Sequence, residues 1–106
     1  MTLKELRYLL AVADEGHFGR AAKRCHVSQP TLSIAIRKLE DDLGIRLLAR
    51  NGTGATLTPV GRQVAEHAVT VLAETETIRE LVRAERVAGE PLPPRPSMVP
   101  FTRLNP

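Results

Sequence analysis

The chain has 106 residues, which suits one small domain with an appendage. Only three residues are aromatic, which disfavours a β-sandwich and favours packed helices built on Leu, Ile, Val and Ala. The net charge of +3 is uneven, because residues 1–58 contain nine Lys/Arg and six Asp/Glu, whereas residues 59–106 contain six of each. A basic first half is typical of a surface that faces phosphates.

Several classes of protein are disfavoured by what the chain lacks. A single cysteine, Cys25, excludes an intramolecular disulfide and argues against a cysteine-based zinc site. The three histidines are too widely spaced to form a metal set. No apolar run is long enough to span a membrane, and no signal peptide or catalytic motif is present. We therefore expect a cytoplasmic protein that is not an enzyme and has no metal, cofactor or small-molecule ligand.

Two helices are predicted at the start of the chain. Apolar residues recur at helical spacing over 3–15, and Thr2 would cap this helix together with Glu5. A second, shorter helix is predicted over 18–25. Cys25 at its end is interpreted as a small core residue.

A third helix and a hairpin complete the first half. After a two-residue connection, the third helix is predicted to begin at Ser28 and to end before Gly44. Its predicted buried stripe consists of Leu32, Ala35, Ile36, Leu39 and Leu43. Residues 45–57 are predicted to form two short strands about a Gly-rich turn.

The last predicted element is a long helix over residues 59–88. Its apolar or small residues alternate at spacings of four and three, which is the heptad pattern of a coiled-coil seam. The seam positions are Val64, Ala68, Val71, Thr75, Ile78 and Val82. A stripe on a helix about 43 Å long is too extended for so small a domain to cover, so we predict that it pairs with a second copy. Six prolines over 89–106 predict a disordered tail.

The third helix presents a face whose chemistry suits the edges of DNA bases. A glutamine can form two hydrogen bonds with adenine, a serine tolerates several bases, and Pro or Ile offers apolar contact to a thymine methyl. The predicted base-contacting residues are Gln29, Pro30, Ser33, Ile34 and Arg37. The alternative is that this segment is only a well-formed helix start.

A second set of residues suits the DNA backbone or the minor groove. Free N–H groups at a helix start can hold a phosphate, and an arginine beside the hairpin turn can enter the minor groove. The predicted contacts are Ser28, Thr31, Lys38, Arg50 and Arg20. For each cation the alternative is an ordinary solvated side chain.

These residues resemble the LysR-type transcriptional regulators over about residues 1–87. The resemblance is carried by L-x-E-L-R-Y-x-x-A-V-A at 3–13, F-G-R-A-A at 18–22, V-S-Q-P-T-L-S at 27–33, K-L-E-x-x-L-G at 38–44 and L-T-P-V-G-R at 57–62. The details E-L-R-Y and H-F-G-R-A-A are most similar to the OxyR peroxide-sensing branch of that family.

The resemblance implies a mainly α fold, a winged helix-turn-helix of three helices and a short β-hairpin over 1–58, followed by a linker helix that dimerises. It implies a transcription regulator that binds a pseudo-palindromic site in double-stranded DNA as a homodimer, in the bacterial cytoplasm at the nucleoid. An alternative function is an interaction protein that pairs through its linker helix with a full-length paralogue and modulates it.

The residues after Leu92 do not resemble the start of the effector domain that follows the linker helix in this family. We hypothesise that the chain is a truncated or frameshifted product. Translation of the adjacent genomic DNA in all frames tests this hypothesis, and an absence of effector-domain codons would contradict it.

Overall fold

The computed structural model describes residues 1–52 and 54–89, so the predicted proline-rich tail lies outside the described residues apart from Gly89. The elements in chain order are α1 Leu3–Glu15, α2 Phe18–Arg24, α3 Gln29–Leu43, β1 Leu48–Asn51, β2 Gly54–Leu57 and α4 Pro59–Val87. The chain divides into two compact units, Met1–Glu76 and Thr77–Pro106. The order and type of the elements confirm the predicted winged helix-turn-helix followed by a long helix.

Local side-chain caps explain where α1 and α3 begin. The Thr2 hydroxyl accepts from the Glu5 N–H at 3.1 Å, and the Glu5 carboxylate accepts from the Thr2 N–H at 2.9 Å, which is the predicted capping box. At α3, the Ser28 hydroxyl accepts from the Thr31 N–H at 3.2 Å. Pro30 fits the first turn because an N–H there has no intrahelical acceptor.

The ends of α1 and α3 also follow the sequence, whereas α2 is shorter than predicted. Gly16 ends α1 and Gly44 ends α3, each in the left-handed conformation. The second helix stops at Arg24, and Cys25 is its C-cap rather than its last helical residue. Its start has a cap that was not predicted, the His17 Nδ1, which accepts from the Arg20 N–H at 3.0 Å.

One apolar core lies among α1, α2, α3 and the hairpin. Leu32, Ile36 and Leu39 of α3 are fully buried in it, as predicted, and Ala35 is half-buried. The prediction that Leu43 is buried was wrong, because 40% of this residue is exposed. Because α3 ends at this residue, its side chain borders an open groove instead of the core.

The hairpin is held by contacts with distant parts of the chain. Its strands are antiparallel, with Arg50 opposite Ala55. The Ala55 N–H donates to the Gly16 carbonyl at 3.1 Å, so β2 is attached to the connection between α1 and α2. On the other strand, the buried Glu40 carboxylate accepts from the N–H groups of Leu47 and Leu48 at 2.8 and 3.2 Å.

The beginning of α4 passes very close to the chain that enters β1. The Thr58 hydroxyl caps α4 by accepting from the Gly61 N–H at 3.0 Å, and it donates to the Arg46 carbonyl at 2.9 Å. A Cβ atom on Gly61 would lie only 2.1 Å from the Leu47 carbonyl oxygen. Glycine at this position is therefore required by the close approach of two backbones.

The residues of the predicted seam on α4 differ in how much of each is buried. Ala68 is 2% exposed and belongs to the core of its own chain, and Val64 is half-buried against that core. By contrast, Val71, Ile78 and Val82 are 41%, 60% and 55% exposed. The chain therefore covers the first positions of the seam and leaves the later positions exposed. None of the described helices combines the length and apolar character needed to cross a membrane.

Candidate nucleic-acid interface

The connection between α2 and α3 sets the angle at which α3 is presented. His26 has a φ of 57°, a left-handed conformation that side chains with a Cβ rarely adopt. The Val27 N–H donates to the Ala22 carbonyl at 3.0 Å, which closes the turn directly after His26. The sequence predicted a short connection here but not the strained residue within it.

The predicted base-contacting residues lie together on one surface of α3. Gln29, Pro30, Ile34 and Arg37 are exposed, with Ile34 65% exposed, and Ser33 between them is half-buried. Most of the Ile34 side chain is therefore accessible from solvent.

The first turn of α3 offers fewer free donors than expected. Pro30 has no N–H, and the Thr31 N–H is used by the Ser28 hydroxyl. Within the described part of the chain, only the Gln29 N–H of this turn lacks an acceptor. The predicted phosphate site at the helix start therefore depends on one amide together with the hydroxyls of Ser28 and Thr31, which lie 2.8 Å apart.

The predicted backbone-contacting cations are all exposed but differ in their partners. Arg20 lies 3.7 Å from a carboxylate oxygen of Glu15 and also donates to the Glu15 carbonyl at 3.1 Å. Lys38 lies beside an open cleft between α1 and α3. Arg50 instead lies over the ring of Phe18, with its guanidinium carbon 4.6 Å from the ring centroid.

Other charged groups on this unit are paired within the chain. Hydrogen bonding to Asp14 raises the pKa of Arg24, which also contacts Glu15. The amino-terminal ammonium pairs with Asp42 near the end of α3, and this hydrogen bond lowers the pKa of the Asp42 carboxyl. In these pairs the carboxylates of Asp14, Glu15 and Asp42 are compensated by a cation of the same chain.

Cys25 has the surroundings of a structural cysteine. It is half-buried against the core, and burial raises the pKa of its thiol. A thiol that stays protonated at neutral pH is a poor nucleophile toward oxidants. In residues 1–52 and 54–89, no group of three or more His, Cys, Asp or Glu side chains is arranged to hold a metal ion.

Four residues that support this surface were missed by the sequence analysis. Glu40 accepts hydrogen bonds from the start of β1, and Gly61 allows α4 to approach Leu47 closely. His26 has the left-handed backbone of the turn, and Phe18 contacts Arg50. Glu40 follows Leu32 and Ile36 at a spacing of four, which could have placed it on the buried side of α3. The other three depend on contacts that no local pattern shows.

A helix-turn-helix with an exposed face on its second helix, joined to a hairpin that carries a free arginine, defines a winged helix-turn-helix DNA-binding protein. The family model described as "Bacterial regulatory helix-turn-helix protein, lysR family" matches residues 3–62. The chain belongs to this family, whose members are transcription regulators.

Relatives with characterised roles match most of this chain but only part of their own length. A hydrogen peroxide-inducible genes activator of Pectobacterium carotovorum is 49% identical over 91 residues, and the DNA-binding transcriptional dual regulator OxyR of Escherichia coli is 48% identical over 91 residues. Each alignment covers 84% of this chain and 30% of the relative. The chain therefore spans about a third of the length of these relatives.

Solved structures have the same fold over most of this chain. A full-length OxyR variant from Pseudomonas aeruginosa is 54% identical with a TM-score of 0.76, covering 79% of this chain and 28% of that one. The CbnR DNA-binding domain in complex with DNA is 38% identical with a TM-score of 0.76, covering 81% and 99% of the two chains. The BenM DNA-binding domain with catB site 1 DNA is 32% identical with a TM-score of 0.78, covering 85% and 97%.

Proposed function

We propose that the chain binds double-stranded DNA with sequence specificity, by placing α3 in the major groove and the hairpin against the backbone or minor groove. The observation that carries this proposal is the division of α3 into two faces. Leu32 and Ile36 are fully buried in the core, whereas Gln29 and Ile34 are exposed on the surface of the same helix. A helix presented in this way fits the width of the major groove.

The exposed face has groups for distinguishing bases as well as for holding the backbone. Gln29 can form two hydrogen bonds with an adenine, and Pro30 and Ile34 can contact a thymine methyl. Ser33 and Arg37 extend the contact along the helix, and Arg37 can form a bidentate pair with a guanine. The CbnR and BenM DNA-binding domains have the same fold and were solved in complex with DNA, which supports DNA binding by this fold.

Selection of bound duplexes from random DNA tests the proposal and supplies a site for later measurements. Gln29→Ala should weaken binding to the selected site by about 1–3 kcal/mol and relax the preference at one base pair. The matched control is Gln63→Ala, which removes an exposed glutamine from α4. If Gln29→Ala retains the affinity and the selectivity of the wild type, Gln29 is not a base-contacting residue.

Homodimerisation through α4 is the second part of the proposal. The exposed seam positions are Val71, Ile78 and Val82, and Leu81 beside them is 65% exposed. Four apolar side chains exposed along one helix are favourable to bury, at roughly 1.5–3 kcal/mol for each side chain that is fully covered. Two copies would also place two α3 helices on one DNA site, as a pseudo-palindromic sequence requires.

Sedimentation of the chain with and without a charge in the seam tests dimerisation. Ile78→Glu should shift the protein toward the monomer and weaken operator binding, since one α3 contacts only half of a site. The control Ala84→Glu adds the same charge at an exposed position outside the seam. A wild-type chain that sediments as a clean monomer at micromolar concentration would contradict the homodimer.

The same seam would accept the equivalent helix of a full-length paralogue. Mixing tagged and untagged chains of different lengths distinguishes this heteromer from the homodimer.

We assign DNA contact to residues 1–58 and assembly to residues 59–88. We place the protein at the nucleoid, where its DNA ligand lies.

A further inference from the structure

We infer that Phe18 is a positioning residue, which holds the Arg50 guanidinium ready for the DNA backbone before DNA arrives. The inference rests on the proposed DNA-binding function and deepens it. The guanidinium carbon of Arg50 lies 4.6 Å from the centroid of the Phe18 ring. This distance is within the range of a cation–π contact, in which the negative face of the ring attracts the planar cation.

The ring is itself held firmly in place. Phe18 is the first residue of α2, is 5% exposed and belongs to the apolar core. The residue before it, His17, forms an isolated bridge with Gly54 of the hairpin. The neighbouring Ala55 N–H donates to the Gly16 carbonyl. The strand opposite Arg50 is therefore attached to the segment that leads into Phe18, which fixes the ring relative to the arginine.

Arg50 differs from Arg20 and Arg24 in how it is held. Arg20 and Arg24 are held by carboxylates of Asp14 and Glu15, which compensate their charge. In the described part of the chain, Arg50 has no carboxylate within 4.0 Å, and the ring holds it without neutralising it. An arginine that is ordered but still fully charged loses less side-chain entropy when it binds a phosphate.

Phe18 lies at a point in the fold that is near both the hairpin and α3. The next residue, Gly19, lies against the start of α3, since a Cβ atom on it would be 3.5 Å from the Gln29 Oε1. The start of α2 therefore lies near both the arginine of the hairpin and the glutamine of α3.

A double-mutant cycle of Phe18→Leu and Arg50→Ala on the selected duplex tests this inference. Phe18→Leu removes the aromatic face but keeps an apolar side chain, and should weaken binding about two- to fivefold. In the Arg50→Ala background the same substitution should have no further effect. Arg50→Ala should reduce the steepness of log affinity against log salt by the amount that corresponds to about one phosphate contact. Phe18→Leu should reduce it by part of that amount.

Two further variants separate positioning from general destabilisation. Val12→Ala also removes volume from the core at a fully buried position, but it does not touch Arg50, so it should leave the salt slope unchanged in the folded protein. Phe18→Tyr keeps the ring and should restore the slope of the wild type. In the DNA-free protein, the side-chain protons of Arg50 should show an upfield ring-current shift that Phe18→Leu abolishes.

The inference is overturned if Phe18→Leu weakens binding equally in both backgrounds, if it leaves affinity and salt slope unchanged, or if Arg50 shows no ring-current shift. Failure of the proposed function is a different result. In that case the wild-type chain itself selects no duplex, although the ring-current shift of Arg50 is present.

Discussion

Helix α3 and the hairpin of β1 and β2, the wing, belong to the same compact unit, but their positions are determined in different ways. α3 begins at the Ser28 cap and ends at Gly44, and both signals lie within the helix or next to it. The wing has two strands of four residues and is held by groups outside it, the Glu40 carboxylate on α3 and the Gly16 carbonyl much earlier in the chain. The helix is thus specified locally, whereas the wing depends on the rest of the fold.

This difference predicts that replacing a residue that supports the wing from outside should destabilise the wing more than loss of the cap destabilises α3. A two-stranded hairpin is at best marginally stable by itself, so loss of one external support should loosen it. A helix cap contributes only about 1 kcal/mol, and the buried stripe of α3 should maintain the helix without it.

The largest effect is expected from Glu40→Ala. The substitution leaves the buried N–H groups of Leu47 and Leu48 without an acceptor, which should cost about 2–4 kcal/mol of unfolding free energy. Hydrogen exchange should accelerate at these two amides before it does so at Leu32 in α3. The neighbouring exposed carboxylate provides the control, as Asp41→Ala should change the unfolding free energy by less than about 0.5 kcal/mol. Equal stability of the two variants would show that Glu40 does not support the wing.

Gly61→Ala should come next. The added Cβ meets the Leu47 carbonyl, a backbone atom that cannot rotate away, and such overpacking costs about 1–3 kcal/mol. Alanine recovers about 1 kcal/mol of helix propensity, so we expect a net loss of up to about 2 kcal/mol in urea unfolding. Arg62→Ala on the same helix turn serves as control. A Gly61→Ala variant as stable as the wild type would mean that α4 and the entry to β1 are not so closely apposed.

Ser28→Ala tests the local side of the comparison. Loss of the cap leaves the Thr31 N–H without its acceptor and should cost about 1 kcal/mol. Amide exchange should accelerate in the first turn of α3 and remain unchanged at Leu47 and Leu48. Ser28→Asp keeps an acceptor at the cap and should retain the stability of the wild type. Accelerated exchange throughout the wing would show that the two regions are not independent.

The smallest effect is expected from His26→Gly. Glycine relieves the cost of a left-handed residue, about 1–2 kcal/mol, but loses about 0.5–1 kcal/mol through its greater freedom in the unfolded chain. A net gain of about 0.5–1 kcal/mol in thermal or urea unfolding should result. His26→Ala keeps the strain and should show no gain. If both variants are equally stable, the turn does not constrain α3 at this residue.

Much of the fold followed from local patterns. The capping box at Thr2, the start of α3 at Ser28 and its end at Gly44 were predicted correctly, as were the buried positions Leu32 and Ile36. These predictions depend on residues within one or two helical turns of each other. The exposed placement of Gln29 and Ile34 followed from the same periodicity.

The apolar periodicity did not predict burial correctly at the last turn of α3. Leu43 continues the stripe of α3 but is exposed, and the charged Glu40 near it is buried. A pattern of apolar residues shows which side of a helix faces inward, but it does not show how far along the helix the core extends. The same limit applies to α4, where Ala68 is covered by its own chain and Ile78 is exposed.

The sequence alone determined the helices, the hairpin and the exposed face of α3, because caps, turns and periodic apolar residues act over short separations. Only the tertiary structure decided how the wing is held, how much of the α4 seam remains exposed, and where the guanidinium of Arg50 lies. Each of these depends on a contact between residues far apart in the chain, such as Arg50 with Phe18 or Gly61 with Leu47. Such contacts exist only once the core has brought the elements together.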